Sequence, residues 1–138
     1  MEDIFYQDTV TVYNKYENKK AGETAYFPTV LENVRLLITK GANMASSGMD
    51  TADSAKLFIH TDTLKKPYVL PKEWSRQEDK TKAFTLAAGD FFVEGDTSEE
   101  DTNVKEFTQY MKRKYDNLFT VTTVDSFKLI PHLEVGGV

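Results

Sequence analysis

YDNLFTVTTVDSFKLIPHLEVGGV, residues 115–138, is the stretch whose reading decides the fold. Leu118, Thr120, Thr122 and Val124 fall on one side of an extended chain, and Phe119, Val121, Thr123 and Asp125 on the other. A period of two carried by β-branched residues is the pattern of a strand. A second apolar run, residues 127–135, follows at once. Pro131 has no N–H to give to a ladder, so this last strand is expected to lie at a sheet edge or to break at the Pro131-His132 step.

Working upstream, residues 7–16 alternate in the same way, with Val10, Val12 and Tyr16 opposed to Thr9, Thr11 and Tyr13. The polar stretch 17–20 before Gly22 then reads as a hairpin turn. Residues 24–39 form a long extended segment in which Val34, Leu36 and Ile38 alternate with Arg35 and Leu37, and Pro28 either divides it or marks a bulge. Residues 56–60 return to strand character. Residues 65–71, with prolines on both sides of Tyr68, Val69 and Leu70, read as an irregular or edge segment, and Trp74 follows in the polar stretch 72–82. Residues 84–86 and 91–93 flank Ala87-Ala88-Gly89-Asp90 and read as a hairpin turned at Gly89.

Helical periodicity appears once. Ser98 and Asp101 have capping-box spacing, acidic residues crowd the start, and Lys112, Arg113 and Lys114 stand at the end. Val104, Phe107, Met111 and Tyr115 recur at intervals of three and four, which predicts a helix over residues 99–114. The expected class is therefore mainly β: a small β-barrel or sandwich with one short amphipathic α-helix near residues 99–114, in a single domain over residues 1–138.

The chain's 138 residues are enough to bury one core without a disulfide or a metal. Nine Phe, seven Tyr and one Trp suit sheets better than helical bundles. A net charge of −5 argues against a protein that grips nucleic acid by neutralising phosphates. With no cysteine, thiolate catalysis, disulfides and Cys-based zinc sites are excluded. The N-terminus MEDIFYQDTV has no apolar stretch of signal-peptide length, and no run approaches a membrane span, so a soluble protein without membrane contact is expected.

No catalytic pattern emerges. Ser126, His132 and Asp125 match none of the known nucleophile spacings, so no enzyme activity and no catalytic residue are assigned. His60 and His132 each have a carboxylate two residues later, Asp62 and Glu134, on the same face of a strand. That pairing is too sparse for a metal site, and both are read as exposed or hydrogen-bonded surface histidines. The Gly-Asp pairs at 89–90 and 95–96 carry neither a phosphate-loop nor an EF-hand string and are read as turns, so no cofactor is expected. The aromatics Tyr13, Tyr16, Tyr26, Phe27, Tyr68 and Trp74 lack the basic groove that base stacking needs and are read as core or subunit-interface residues. Residues 41–55, GANMASSGMDTADSA, are small and polar and predict a flexible loop.

The TVTVYNKY strand at residues 9–16, the GDFFVEG strand at 89–95 and the tail from Tyr115 through Gly136 together resemble phage or prophage head-tail connector proteins of the head-closure or minor-capsid type. The resemblance covers about half the chain. It implies a small β-barrel that assembles as a ring in the virion, at the head-tail junction, after synthesis in the bacterial host cytoplasm. It also implies portal-adaptor or other connector proteins and tail proteins as partners, with transient contact to packaged DNA. A tail-completion or tail-terminator protein, or a small ligand- or nucleic-acid-binding barrel, are the alternative readings. Under the resemblance, Gly41, Met44, Ser46, Met49 and Asp50 are candidates for a channel loop. Trp74, Ile130, Pro131, His132, Leu133 and Val135 are candidates for the subunit interface, on the argument that an edge strand and an exposed Trp favour association.

Overall fold

The structure, a computed structural model, describes residues 5–41, 43–44, 49–50 and 53–138. Its strands are β1 (Asp8–Asn18), β2 (Glu23–Thr39), β3 (Asn43–Met44), β4 (Met49–Asp50), β5 (Ser54–His60), β6 (Phe91–Glu94), β7 (Leu118–Phe127) and β8 (His132–Gly137). A 3-10 turn at Thr61–Thr63 follows β5, and the two α-helices are α1 (Pro71–Arg76) and α2 (Phe107–Lys114). Six strands close an antiparallel barrel in the order β1-β2-β5-β8-β7-β6, with β6 pairing back onto β1 through Val10↔Glu94 to Tyr13↔Phe91. Closure of this kind leaves no full-length edge strand.

The inward positions make the core. Val10 and Val12 of β1, Leu57 and Ile59 of β5, Phe92 of β6, Phe119 and Val121 of β7, and Leu133 and Val135 of β8 are all buried in one cluster. Phe84 and Leu86, from the connection between β5 and β6, join the same cluster. That connection carries α1, in which Trp74 is only 3% exposed and stands edge-on to Tyr16 and Phe27 at 6.2 and 5.7 Å. A polar node ties the connection to the barrel: Asn14 Nδ2 donates to the Thr85 carbonyl at 2.6 Å and to Asp90 Oδ2 at 2.9 Å. Asp90 also accepts the N–H groups of Lys15 and Ala87, both at 3.0 Å.

Several expectations are corrected. β8 is not an edge strand, since it pairs with β5 on one side and β7 on the other. The other alternative holds: the run breaks at the Pro131-His132 step, with Pro131 in the turn before β8, where its missing N–H removes no ladder bond. The face alternation of β7 holds as far as Val121 and then slips by one residue: Val121 pairs with Gly137, Thr123 with Gly136, and Val124 with Val135. The extra residue is Thr122, a bulge that turns Val124 inward and Thr123 and Asp125 outward. Gly137 sits on the inner face, where an added Cβ would come within 3.0 Å of the Phe92 ring. Pro28 neither divides nor bulges β2; it pairs with Tyr13, and the irregularity lies further on, where Asn33 adopts φ 57°.

Residues 84–86 do not pair with β6, which is flanked by β1 and β7 instead. Phe84 bridges to Tyr68, although Gly89, at φ 98°, does supply a turn. The helix is shorter than its periodicity predicts, because the Ser98 N–H and hydroxyl both bond Asp96 Oδ1 and no capping box forms. The two charged ends nevertheless meet, with Lys114 Nζ 2.7 Å from Glu100 Oε1.

Candidate interaction surface

Each barrel strand has an outer face, and the two halves of the wall treat theirs differently. On β1 and β6, Tyr13, Phe91 and Val93 point outward and are buried beneath Phe107 and Met111 of α2. The Tyr13 hydroxyl bonds the Thr97 carbonyl and hydroxyl at 2.9 and 2.6 Å, and burial pushes its pKa up to about 12.

On β5 and β8, among the described residues, no helix covers the outer face. Cross-strand register sets out two rows there. One row runs His60↔His132↔Phe127 across β5, β8 and β7; the next runs Arg35↔Phe58↔Glu134↔Asp125 from β2 to β7. Rings stack along the first row, Tyr6 on His60 at 3.9 Å and Phe127 on His132 at 4.6 Å with planes 5° apart. The Arg35 guanidinium lies 5.6 Å from the Phe5 ring and 5.9 Å from that of Phe58, at cation-π range. Below this wall the β7–β8 turn presents Leu129, 97% exposed, and Ile130, 67% exposed, beside half-exposed Phe127.

The His132 ring is fixed by two contacts: Nδ1 is 2.6 Å from the Ile130 carbonyl and Nε2 is 3.1 Å from Glu134 Oε2. Both partners are acceptors, so the doubly protonated ring satisfies both and the pKa is raised above its ordinary value, the Ile130 carbonyl contributing most. This arrangement has no nucleophile. Asp125 and Ser126 are adjacent on one strand and point to opposite faces, so the Ser126, His132, Asp125 set does not assemble. Among the described residues, no group of three or more metal-ligating side chains converges.

The interface candidates read from the sequence separate into two sets. Ile130, Pro131 and His132 lie on or beside the uncovered wall. Leu133 and Val135 are inside the barrel, and Trp74 is inside the fold, its indole N–H donating to the Lys80 carbonyl at 3.3 Å. These three side chains are occupied in holding the monomer together. Of the channel-loop candidates, Met44, Met49 and Asp50 belong to a two-rung ladder, Asn43↔Asp50 and Met44↔Met49, where a loop without strands was expected. Gly41 stands at its base, its N–H donating to Asp53 Oδ1 at 2.7 Å, and Ser46 lies outside the described residues.

A family model described as a family of unknown function, DUF6751, matches residues 5–138. The chain belongs to this family. No curated protein and no solved structure matches it. Within this DUF6751 chain, sequence reasoning missed Phe5, Tyr6, Arg35, Phe58, Phe127 and Leu129 as surface residues. One signal for them was present: Leu129 and Ile130 precede a proline, and a Pro-terminated apolar pair is as consistent with a turn as with a strand. The contact of Tyr6 with His60 joins residues 54 positions apart and left no local trace.

Proposed function

We propose that this chain is a structural subunit of the head-tail junction of a tailed phage or prophage: a head-closure protein that forms a ring, joins the portal-adaptor ring to the tail, and seals or lines the DNA exit channel. The observation that carries the reading is the uncovered β5–β8 wall with its exposed Leu129–Ile130 tip. A partly exposed aromatic and histidine face that no described helix covers, on a barrel whose other side is covered by one, supports a surface that packs against another protein. The stretches that resemble connector proteins supply the identity of that neighbour. A net charge of −5 suits a channel wall that repels DNA and lets it pass. The paired strands β3 and β4, between β2 and β5, belong to the segment assigned to the channel.

The test is complementation of a phage that lacks this gene. Leu129→Asp combined with Ile130→Asp lies in an exposed turn and leaves the barrel folded, as far-ultraviolet circular dichroism will show. The expected outcome is loss of titre with accumulation of DNA-filled heads that lack tails. Wild-type titre from the folded variant overturns the reading of the tip as an interface. Finished tails without attached heads, in place of filled heads, assign the protein to tail completion.

A further inference from the structure

We propose that a groove beside β2 receives an extended peptide from a partner protein, which adds to the open edge of β2 at Val30 and places a carboxylate on the ammonium of Lys66. The groove adjoins the β5–β8 wall at His60, but its recognition groups, Val30 and Lys66, lie off that wall, and the proposal stands whether or not the phage reading does.

β2 is 17 residues long, but β5 pairs with it only from Arg35 onward, so the half nearer the first hairpin has a strand on one side only. Proline fixes which groups face the open side. Pro28 pairs with Tyr13 yet has no N–H, so this rung is one in which the flanking residues make the ladder bonds, and the Pro28 carbonyl points away from β1. Two residues on, at the Thr11↔Val30 rung, the Val30 N–H and carbonyl point the same way. Among the described residues, no other segment makes a backbone hydrogen bond to them. Asn33, in the left-handed region, then swings β2 towards β5. The divergence opens a cavity of about 400 Å³ whose apolar lining includes Val30, Leu31, Val34, Ile59 and Leu64.

Lys66 reaches into this cavity. Its ammonium donates to Thr29 Oγ1 at 3.1 Å, and no described carboxylate pairs with it, whereas Lys15, Lys40 and Lys114 each have one. Burial lowers its pKa more than the nearby charge of Asp79, which makes no ion pair with it, raises it. A carboxylate arriving with an extended chain supplies the missing counter-charge while its backbone meets Val30, which is the pattern of strand addition with a side-chain anchor. The acidic groups on the lining, Glu32 and Asp96, disfavour a polyanion such as nucleic acid, and Asp96 is itself engaged by Ser98. Pro28 stops strand addition from continuing towards the hairpin, so the footprint is short.

The probe is an acetylated, amidated heptapeptide of alternating Thr and Val with one central Glu, titrated into nitrogen-15-labelled protein and followed by amide chemical shifts. Saturable shifts at Val30, Leu31 and Asn33 are expected. A central Lys in place of Glu, or Lys66→Met in the protein, should weaken binding about tenfold, the worth of one charge-assisted hydrogen bond. Val30→Pro removes an N–H that β1 does not use, and should abolish binding in a folded protein. No saturable shift, shifts confined to the β5–β8 wall, or equal affinity in Lys66→Met overturns the proposal. So does inorganic phosphate that saturates the same amides and displaces the peptide, since that outcome makes the groove an anion site only.

Discussion

The outward residues of β1 and β6 and those of β5 and β8 occupy equivalent positions in one barrel, yet Tyr13, Phe91 and Val93 are sealed under α2 while Phe58, His60, His132 and Phe127 stay at the surface. Both walls carry aromatic side chains, so composition does not distinguish them. What differs is where the partner comes from. The β1–β6 wall finds Phe107 and Met111 within its own chain, and its aromatics are core. The β5–β8 wall stacks Tyr6 on His60 and Phe127 on His132 and sets Arg35 against Phe5, which shields part of each side chain. Side-chain type in a strand thus does not say whether its outer face is covered; the topology does.

Truncation separates the walls most sharply. Phe107→Ala removes the centre of the cluster under α2 and should destabilise the protein by about 3–5 kcal/mol, in line with large-to-small changes in cores. Phe127→Ala on the other wall should cost less than about 1 kcal/mol, because half of the ring is already in solvent. Urea unfolding of the two variants measures both, and similar losses would erase the distinction. Asp90→Ala comes next. It leaves the N–H groups of Lys15 and Ala87 and one of the two N–H groups of the Asn14 amide without their acceptor, the other keeping the Thr85 carbonyl, an expected loss of roughly 3 kcal/mol by the same measurement. A loss under 1 kcal/mol would mean that water replaces the carboxylate and that the node does not hold the β5–β6 connection to the barrel.

The barrel was more legible in the sequence than either wall. Alternation in residues 7–16, 34–39, 56–60 and 118–121 reports inward and outward positions correctly, because each of those segments has one face in the core. It failed where a strand changes face without changing composition: Thr122 is one Thr among several, and nothing local marks it as the bulge. The run 127–135 looked like one strand because Leu129 and Ile130 are apolar, although they form the turn. Trp74 looked exposed because its neighbours are polar, although Pro71 is in the first turn of α1, a helix-start signal that the sequence does carry. Of the interface candidates chosen from the sequence, Leu133 and Val135 point into the barrel, since register decides which alternate residues face out.

The cover itself can be sharpened. α2 begins after Glu106, whose φ of 52° is unfavourable for a residue with a Cβ, and no side chain caps the helix start. Glu106→Gly should relieve that strain and stabilise the protein by up to about 1 kcal/mol, the gain of freeing one left-handed residue less the added entropy of an unfolded glycine. A rise in the unfolding midpoint without a change in slope checks it. A fall would show that the Glu106 side chain supports the cover in a way its backbone does not reveal.

The smallest effect distinguishes the walls by pH. Tyr13 under α2 ionises at 10.0 when unfolded and at about 12 when folded, so its contribution to stability is complete below pH 10 and is lost as pH rises through about 12. The covered wall is therefore silent near neutrality. His132 on the bare wall is also raised, from 6.5, because the Ile130 carbonyl and Glu134 hold both ring nitrogens. The folded state binds that proton more tightly than the unfolded state, so the contribution of His132 is complete below pH 6.5 and is lost as pH rises through its folded value. Glu134, Asp125, Arg35, Lys56 and His60 share its face. Unfolding midpoints of the native protein should fall from pH 6 to pH 8, and those of His132→Gln should fall less. An unchanged slope in His132→Gln would mean that the 2.6 Å contact to Ile130 is made by a neutral ring, and that the wall carries no charge at that position to offer a partner.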